Sequence, residues 1–392
     1  MSWPMVKLKD VSKLIDYGLT ASADVDCDGP LFLRITDLGD DGVNWSKVPR
    51  CVCDDKKKQK NLLEKGDIVF ARTGATTGKS YLISDVCEDT VFASYLIRVR
   101  PTKKVHSPFL AYFFKSPNYW YQIGGMSSGA TLPGVNASKL SELEIPLPPL
   151  DEQKRIAKIL DKADAIRQKR KHAIALADEF LHSVFLEMFG DPVTNPKGFP
   201  LGTIRDLVES ANYGTSGKAS ESEGEYPVLR MGNITYQGSW DFSDLKYIDL
   251  TEKELPKYLV HKGDLLFNRT NSRELVGKTA VYEEELPMAF AGYLVRVRAN
   301  EMGNTYYLSG YLNSGHGKKV LSGMCKSIVG MANINAQELQ NIKLLLPPIE
   351  LQNRYEKIVK AVRSRVSTQI VSLTELNELF SSLSQKAFSG QL

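Results

Sequence analysis

A stretch in the middle of this 392-residue chain returns 199 residues later. LPPLDEQKRIAKILDKADAIRQKR runs from Leu147 to Arg170, and a weakened copy, LPPIELQNRYEKIVKAVRSR, from Leu346 to Arg365. Each copy opens on a proline pair, Pro148-Pro149 and Pro347-Pro348, which suits a first helical turn because the missing N–H has no intrahelical partner to lose. Acidic residues follow, Asp151 and Glu152 in one copy and Glu350 in the other, at the positive end of the helix dipole. Apolar residues then recur at steps of three and four. They are Ile156, Leu160, Ala163, Ile166, Ala173, Ala177, Leu181, Val184 and Met188 in the first copy, and Ile358, Val362, Val366, Leu373, Leu376, Phe380 and Leu383 in the second. The spacing predicts two amphipathic helices. Phe189-Gly190-Asp191-Pro192 stops the first, and Phe388-Ser389-Gly390 the second. Helices of about 40 residues reach about 60 Å, longer than a domain of ~150 residues is wide, so each needs a partner along its length. The other helix is the expected partner, and in a pseudo-twofold repeat the pair runs antiparallel.

The repetition extends beyond the helices, and a missed repeat misreads a whole fold. Pro4…Leu8-Lys9-Asp10-Val11 matches Pro200…Ile204-Arg205-Asp206-Leu207, and Leu33-Arg34 matches Leu229-Arg230. KGDIVFART from Lys65 matches KGDLLFNRT from Lys262, and FASYLIRVR from Phe92 matches FAGYLVRVR from Phe290. The offset drifts only from 196 to 199, so the chain is two copies of one unit, block then helix. Within each block, short β-branched and aromatic runs bounded by Gly, Asp and Pro predict strands. A short helix is expected at Pro108–Lys115 and again near Thr305–Asn313, before the glycine-rich stretches Gly124–Gly134 and Gly315–Gly330. Each block is therefore α+β with a twisted, largely antiparallel sheet. Ser22–Asp28 and Cys51–Asn61 have no close counterpart in Tyr213–Tyr226 and Gly238–Tyr258. One frame with different loops suggests two related modules reading two different things.

Composition excludes more than it selects. A hydrophobic fraction of 42% and a charged fraction of 24% describe ordinary globular material, and a net charge of +4 permits nucleic-acid binding without demanding it. No apolar run approaches the ~18 residues of a membrane span, and MSWPMVKLKD lacks a signal-peptide core. No membrane partner and a cytoplasmic location are expected. Cys27, Cys51, Cys53, Cys87 and Cys325 form no CxxC pair and no zinc spacing, which fits reduced thiols. The five histidines are scattered, and no His/Cys/Asp constellation suggests a nucleophile or a metal. With no FxGxG-type cofactor loop and no NPPY or DPPY tetrapeptide, the chain is expected to hold no catalytic residue, metal or cofactor.

Gly74-Ala75-Thr76-Thr77-Gly78-Lys79-Ser80 imitates a phosphate-binding loop. A Walker A motif needs four residues between its glycines and must open a helix; here there are three, and Tyr81-Leu82-Ile83 reads as a strand. The better reading makes the glycines turn residues between strands. Arg72, Thr73, Thr76 and Lys79, with Arg269, Thr270, Asn271, Arg273 and Lys278 in the second copy, then form polar, basic hairpin loops suited to phosphates and base edges. The repeated Arg34 and Arg230 join them as DNA-contact candidates. A solvated hairpin with a structural arginine is the alternative. The charge run Arg167-Gln168-Lys169-Arg170-Lys171 reads first as a solvated helix face and second as a contact for DNA phosphate or a partner subunit.

LPPLDEQKRIAKILDKADAIRQKR preceded by KGDIVFARTGATTGKS, with both elements duplicated, resembles the specificity subunit of type I restriction–modification enzymes over essentially the whole length. The resemblance implies an α+β fold with two pseudo-symmetric target-recognition domains separated by two long helices that form an antiparallel coiled coil. It places the first recognition domain at residues 1–149, the first helical spacer at 150–190, the second domain at 191–346 and the second spacer at 347–392. It implies a non-catalytic subunit whose partners are double-stranded DNA, two methyltransferase subunits and, in the full complex, restriction subunits. Glu152, Gln153, Arg155, Gln352 and Arg354 are then expected to contact the methyltransferase subunits. The second helix start departs from the pattern, with Leu351 at the position of Glu152 and Tyr355 at that of Ile156. Two readers about one B-DNA turn apart, roughly 34–36 Å, imply a bipartite, asymmetric target with an unread gap of roughly 6–8 base pairs. Three rival readings stay open at this point: a stand-alone two-module DNA-binding protein, a nucleotide-dependent enzyme using Gly74–Ser80, and a structural coiled-coil adaptor.

Overall fold

The computed structural model describes residues 3–39, 42–85, 88–127, 134–325 and 332–392. The chain divides into two compact units, Met1–Arg170 with Ser372–Leu392 and, between them in sequence, Lys171–Val371. Each unit therefore holds one sheet-bearing block and a stretch of both long helices.

The central sheet is the same in the two units. In the first, its antiparallel strands lie in the order Ser12–Tyr17, Leu96–Pro101, Ile68–Ala71, Ser80–Leu82. In the second the order is Val208–Tyr213, Leu294–Ala299, Leu265–Asn268, Thr279–Val281. Even the irregularity of the first strand recurs, between Ser12 and Leu14 and between Val208 and Ser210. The KGDIVFART run lacks the alternation of a half-exposed strand because its strand is buried on both faces. Ile68 and Phe70 enter the core beneath the sheet, with Leu110 and Phe113 of the helix Ser107–Phe113. Val69, between them, points the other way to Leu33 and Phe92. In the second unit Leu265 and Phe267 join Leu308 and Tyr311 of the helix Thr305–Asn313, and Leu266 joins Leu229 and Phe290.

The layer on that second face is where the copies part. In the first unit Leu31–Leu33 pairs in parallel with Thr90–Phe92, and only single antiparallel bridges flank the pair, Arg50 on Leu31 and Leu62 on Val91. In the second, a four-stranded sheet runs Lys246–Ile248, Tyr226–Leu229, Met288–Phe290, Leu259–Val260, parallel only at its centre. The segments without counterparts in sequence belong to these lobes.

The glycine-rich stretches are partly helical, as Pro117–Ser127 and Gly315–Met324. Ser314 caps the latter, its Oγ accepting the Gly317 N–H at 3.0 Å, and a Cβ on Gly317 would lie 2.1 Å from the Tyr311 carbonyl oxygen. Glycine there lets one helix follow another without a spacer. Residues 128–133 and 326–330 of these stretches lie outside the described residues.

The long helices span Leu150–Phe189 and Ile349–Ser389. In the first unit they pack antiparallel. Ile156 and Leu160 meet Leu383 and Ala387, while Arg167 Nε donates to Asn377 Oδ1 at 2.8 Å. In the second unit the rings of Phe185 and Phe189 lie 5.5 Å from that of Tyr355. The expected stripe needs correcting in its middle: Ile166 is half exposed and Ala173 exposed. A three–four alternation begun at Ile156 and Leu160 passes through Arg167 and Ile174, not through Ile166 and Ala173. The solvated-face reading of Arg167 is corrected with it. Its side chain is only 19% exposed, lies 4.2 Å from the Phe380 ring centre and bonds Asp164.

The blocks meet the helices by opposite means. Tyr112 reaches out from its helix, donating its hydroxyl proton to Asp161 at 2.8 Å. The equivalent residue of the second unit is Gly310, where a Cβ would come within 2.8 Å of both the Phe185 ring and the Tyr355 hydroxyl. Bulk on the block in one copy is replaced by bulk on the helices in the other.

Candidate nucleic-acid interface

The ends of the central strands build the same station twice. Tyr17-Gly18 closes the first strand against the turn after Phe92, where Leu19 N–H donates to the Phe92 carbonyl at 2.9 Å. A Cβ on Gly18 would lie 2.1 Å from that same oxygen, so the approach requires glycine. Arg72 leaves the neighbouring strand beside this turn, its N–H donating to the Tyr95 carbonyl at 3.2 Å. Its guanidinium carbon sits 4.8 Å from the Tyr17 ring centre, and Nη1 donates to the Ser94 carbonyl at 3.3 Å. Tyr17 is fixed in turn, its Oη accepting the Ala137 N–H at 2.9 Å. The second unit repeats every part. Arg269 lies 4.8 Å from the Tyr213 ring centre and donates to the Gly292 carbonyl at 3.5 Å, while Tyr213 Oη accepts the Ala336 N–H at 3.0 Å. A cation held on an aromatic face keeps its charge and its donors while losing rotational freedom.

The loops beyond these arginines are hairpin turns. Thr77 N–H and Oγ1 both donate to the Gly74 carbonyl, and Gly78 N–H to that of Ala71, with Gly74 at φ +84° and Gly78 at φ +86°. The strand Ser80–Leu82 follows directly, so no helix N-terminus faces a phosphate and the nucleotide-binding geometry is absent from this loop. Thr73 is exposed; Thr76 and Lys79 are half-buried, and Lys79 Nζ donates to the Leu38 carbonyl at 3.4 Å. In the second loop Thr270 is buried in a short pairing of Thr270–Asn271 with Ala332–Asn333. Asn271 Oδ1 accepts the Ser272 N–H, Arg273 is exposed, and burial holds the half-buried Lys278 ammonium below its ordinary pKa. Arg34 and Arg230 are engaged within the chain, Arg34 gripping Asp37 with two donors at 3.0 and 2.8 Å and Arg230 reaching Asp244 at 2.7 Å. Arg34 nevertheless lines, with Thr20, Thr36 and Tyr95, a cleft of about 490 Å³ in the first unit. Sequence reasoning missed Tyr17, Tyr213 and the exposed Tyr95 and Tyr293. The signal for the first two was a Tyr-Gly pair repeated at 196 residues.

The helix starts explain the two glutamines. Gln153 is 1% exposed and Gln352 fully buried. Gln153 Oε1 accepts the His106 N–H at 2.8 Å, and Nε2 donates to the carbonyls of Lys104 and Pro148. Gln352 does the same for Asn304, Met302 and Pro347. Each glutamine ties its long helix to its own block. Glu152 grips Arg155 in a bidentate pair at the surface, and Arg354 is exposed. Gln153→Leu leaves one buried donor and two acceptors without partners, and is expected to cost about 2–4 kcal/mol in the first unit. Hydrogen exchange at residues 104–106 reads this; unchanged protection there would show that the staple is dispensable.

Among the described residues no group of three His, Cys, Asp or Glu is placed to hold a metal ion, and no helix is long and apolar enough to cross a membrane. Two units with matching basic stations on one frame and unlike lobes beside them define a two-module recognition protein. The chain belongs to the type I restriction modification DNA specificity domain family, whose model matches residues 2–176 and again 196–379. It is similar to the EcoKI specificity subunit of Escherichia coli (strain K12), 25% identical over 358 residues that cover 86% of this chain and 76% of that one. It is likewise similar to the putative type I restriction enzyme MjaX specificity subunit of Methanocaldococcus jannaschii, 26% identical over 379 residues, 92% and 86% of the two chains. Among solved structures, a type I restriction-modification S subunit from M. genitalium shares the fold, with a TM-score of 0.60 at 14% identity over 99% of this chain and 96% of that one.

Proposed function

We propose that this chain is the DNA-specificity subunit of a type I restriction–modification complex. It reads a bipartite, asymmetric duplex target, one half with each unit, and positions two methyltransferase subunits for N6-adenine methylation, with restriction subunits joining for cleavage. The observation that carries this is the pairing of a duplicated frame with divergent lobes: a two-stranded ladder flanked by single bridges on the outer face of one sheet, and four paired strands, with segments that have no counterpart, on the other. A repeat of identical readers would favour a palindrome, whereas this one favours unlike halves. The half-sites lie about one B-DNA turn apart, leaving a gap of roughly 6–8 base pairs. Methyl transfer requires the adenine to leave the stack, a step belonging to the partner subunits in the cytoplasm. Glu152, Arg155 and Arg354 offer exposed polar groups to those subunits, while Gln153 and Gln352 act through the pose of the helix starts.

Methylome sequencing tests the reading in cells carrying the cognate methyltransferase subunit, with and without this chain. N6-methyladenine at a single asymmetric, gapped motif is expected, and it disappears when the chain is removed. Methylation that persists without the chain overturns the reading in favour of a stand-alone DNA-binding protein.

A further inference from the structure

The two units read different sequences in the function proposed above, yet their stations share one plan, to which the second adds a bond from Arg269 Nη2 to Asn333 Oδ1 at 3.2 Å. Arg72 and Arg269 each lie 4.8 Å from a tyrosine ring centre, and each donates to a carbonyl in the adjoining turn. On that turn stand Tyr95 and Tyr293, 63% and 54% exposed at equivalent positions, whose carbonyls accept the N–H groups of Arg72 and Arg269. An arrangement common to both copies carries no information about how two half-sites differ. It serves whatever the half-sites have in common.

Charge says what that is. Arg34, Arg98, Arg100, Arg230 and Arg298, on the same frames, all have a carboxylate within ion-pair distance. Among the described residues neither Arg72 nor Arg269 has one, and Arg269 Nε is buried with no hydrogen-bond partner. Each guanidinium is oriented by its tyrosine and has no carboxylate partner among the described residues, and the turn that it bonds carries a large exposed tyrosine whose hydroxyl can donate a hydrogen bond. Fixed cations and hydroxyl donors of this kind suit phosphodiester oxygens, whose contacts set register without reading sequence.

We propose that Arg72 with Tyr95, and Arg269 with Tyr293, grip the DNA phosphodiester backbone at the equivalent place in each half-site, as sequence-independent positioning residues. Base reading falls to the residues in which the two units differ. The inference rests on the DNA-reading function, and its test separates the two. The assembled complex with methyltransferase subunits is prepared with wild-type chain, Arg72→Gln, Arg269→Gln, Tyr95→Ala and the charge-retaining Arg72→Lys. Affinity is measured against salt on a duplex bearing the methylated motif and on one of equal length without it.

Each Arg→Gln variant is expected to weaken binding to both duplexes by the same factor, about tenfold. It lowers the slope of log affinity against log salt by about one, and the methylated motif is unchanged. Arg72→Lys restores the slope, which a merely structural arginine would not do. Tyr95→Ala weakens both duplexes equally with little change of slope. A motif that relaxes at one base in any of these variants overturns the proposal by making the residue a base reader. So do an unchanged slope and affinity in a complex that still assembles. Wild-type chain that confers no sequence-dependent methylation sinks the underlying function instead.

Discussion

Exchanging residues 191–346 for the corresponding block of a family member with another target is expected to change one half of the methylated motif and leave the other half intact. The exchanged segment lies wholly within Lys171–Val371, with its own sheet, lobe and core. Each mismatched base pair costs about 1–3 kcal/mol. Two mismatches, about 2–6 kcal/mol together, should therefore lower affinity for the original site by roughly 30-fold to 10⁴-fold. The incoming block has to respect the helix contacts it inherits, above all the close approach of Gly310 to Phe185 and Tyr355 and the Tyr307 ring stacked on Phe185. Methylome sequencing of the chimaera is the measurement. A change in both halves would mean that the two units do not read independently.

The second large effect concerns stability, and here the repeat supplies its own control. Arg98 is 1% exposed and clamped by Asp16 through two hydrogen bonds, at 3.0 and 2.6 Å, across paired strands. Asp16→Ala leaves a buried guanidinium without its counter-ion, a loss of about 3–5 kcal/mol. At the same register in the second unit Arg296 faces Asn212. Arg296 Nε has no partner, Asp264 approaches only to 3.9 Å, and burial together with Arg298 holds the guanidinium below its ordinary pKa. The second unit thus already lives with the defect that Asp16→Ala would create in the first. Asn212→Asp is expected to repair it, adding about 1–3 kcal/mol. Hydrogen exchange should show protection lost in Ile68–Ala71 and Leu96–Pro101 for the first substitution, and gained in Leu265–Asn268 and Leu294–Ala299 for the second. If Asn212→Asp left the second sheet unchanged or weaker, the pairing argument would fail.

Features resting on local chemistry were legible in the sequence. The proline-opened helices, the short helix at Thr305–Asn313 and the strand after Lys79 follow from spacing and turn residues a few positions apart, and the duplication from the recurrence of whole runs such as KGDIVFART and KGDLLFNRT. What escaped depends on distant residues. Tyr17 and Arg72 are 55 positions apart, and the two copies share only Tyr-Gly at that strand end, too short a match to notice. In Arg98-Val99-Arg100 the side chains point to different partners, Asp16 and Asp67, which no local pattern distinguishes from a solvated basic run. Gln153 looked like a surface residue because it sits among charges, yet its amide is enclosed by the block the helix starts from. Ile166 misled for a different reason: an apolar residue one step off the seam looks like part of it until the helix phase is fixed by its partner.

The interleaved order of the two units bears on how the chain is made. Lys171–Val371 is continuous, so everything its core needs has been translated by the time its last residue leaves the ribosome. The other unit begins earlier and finishes later. Its block emerges first, but Phe109, Ile156 and Leu160 wait for Phe380, Leu383 and Ala387, and the Trp3 indole waits for the Ala387 carbonyl it bonds at 2.8 Å. During synthesis of all the intervening residues an apolar surface on the older unit stands uncovered, open to chaperones and to the same surface on a neighbouring nascent chain. The half of the protein that is born first is the half that matures last.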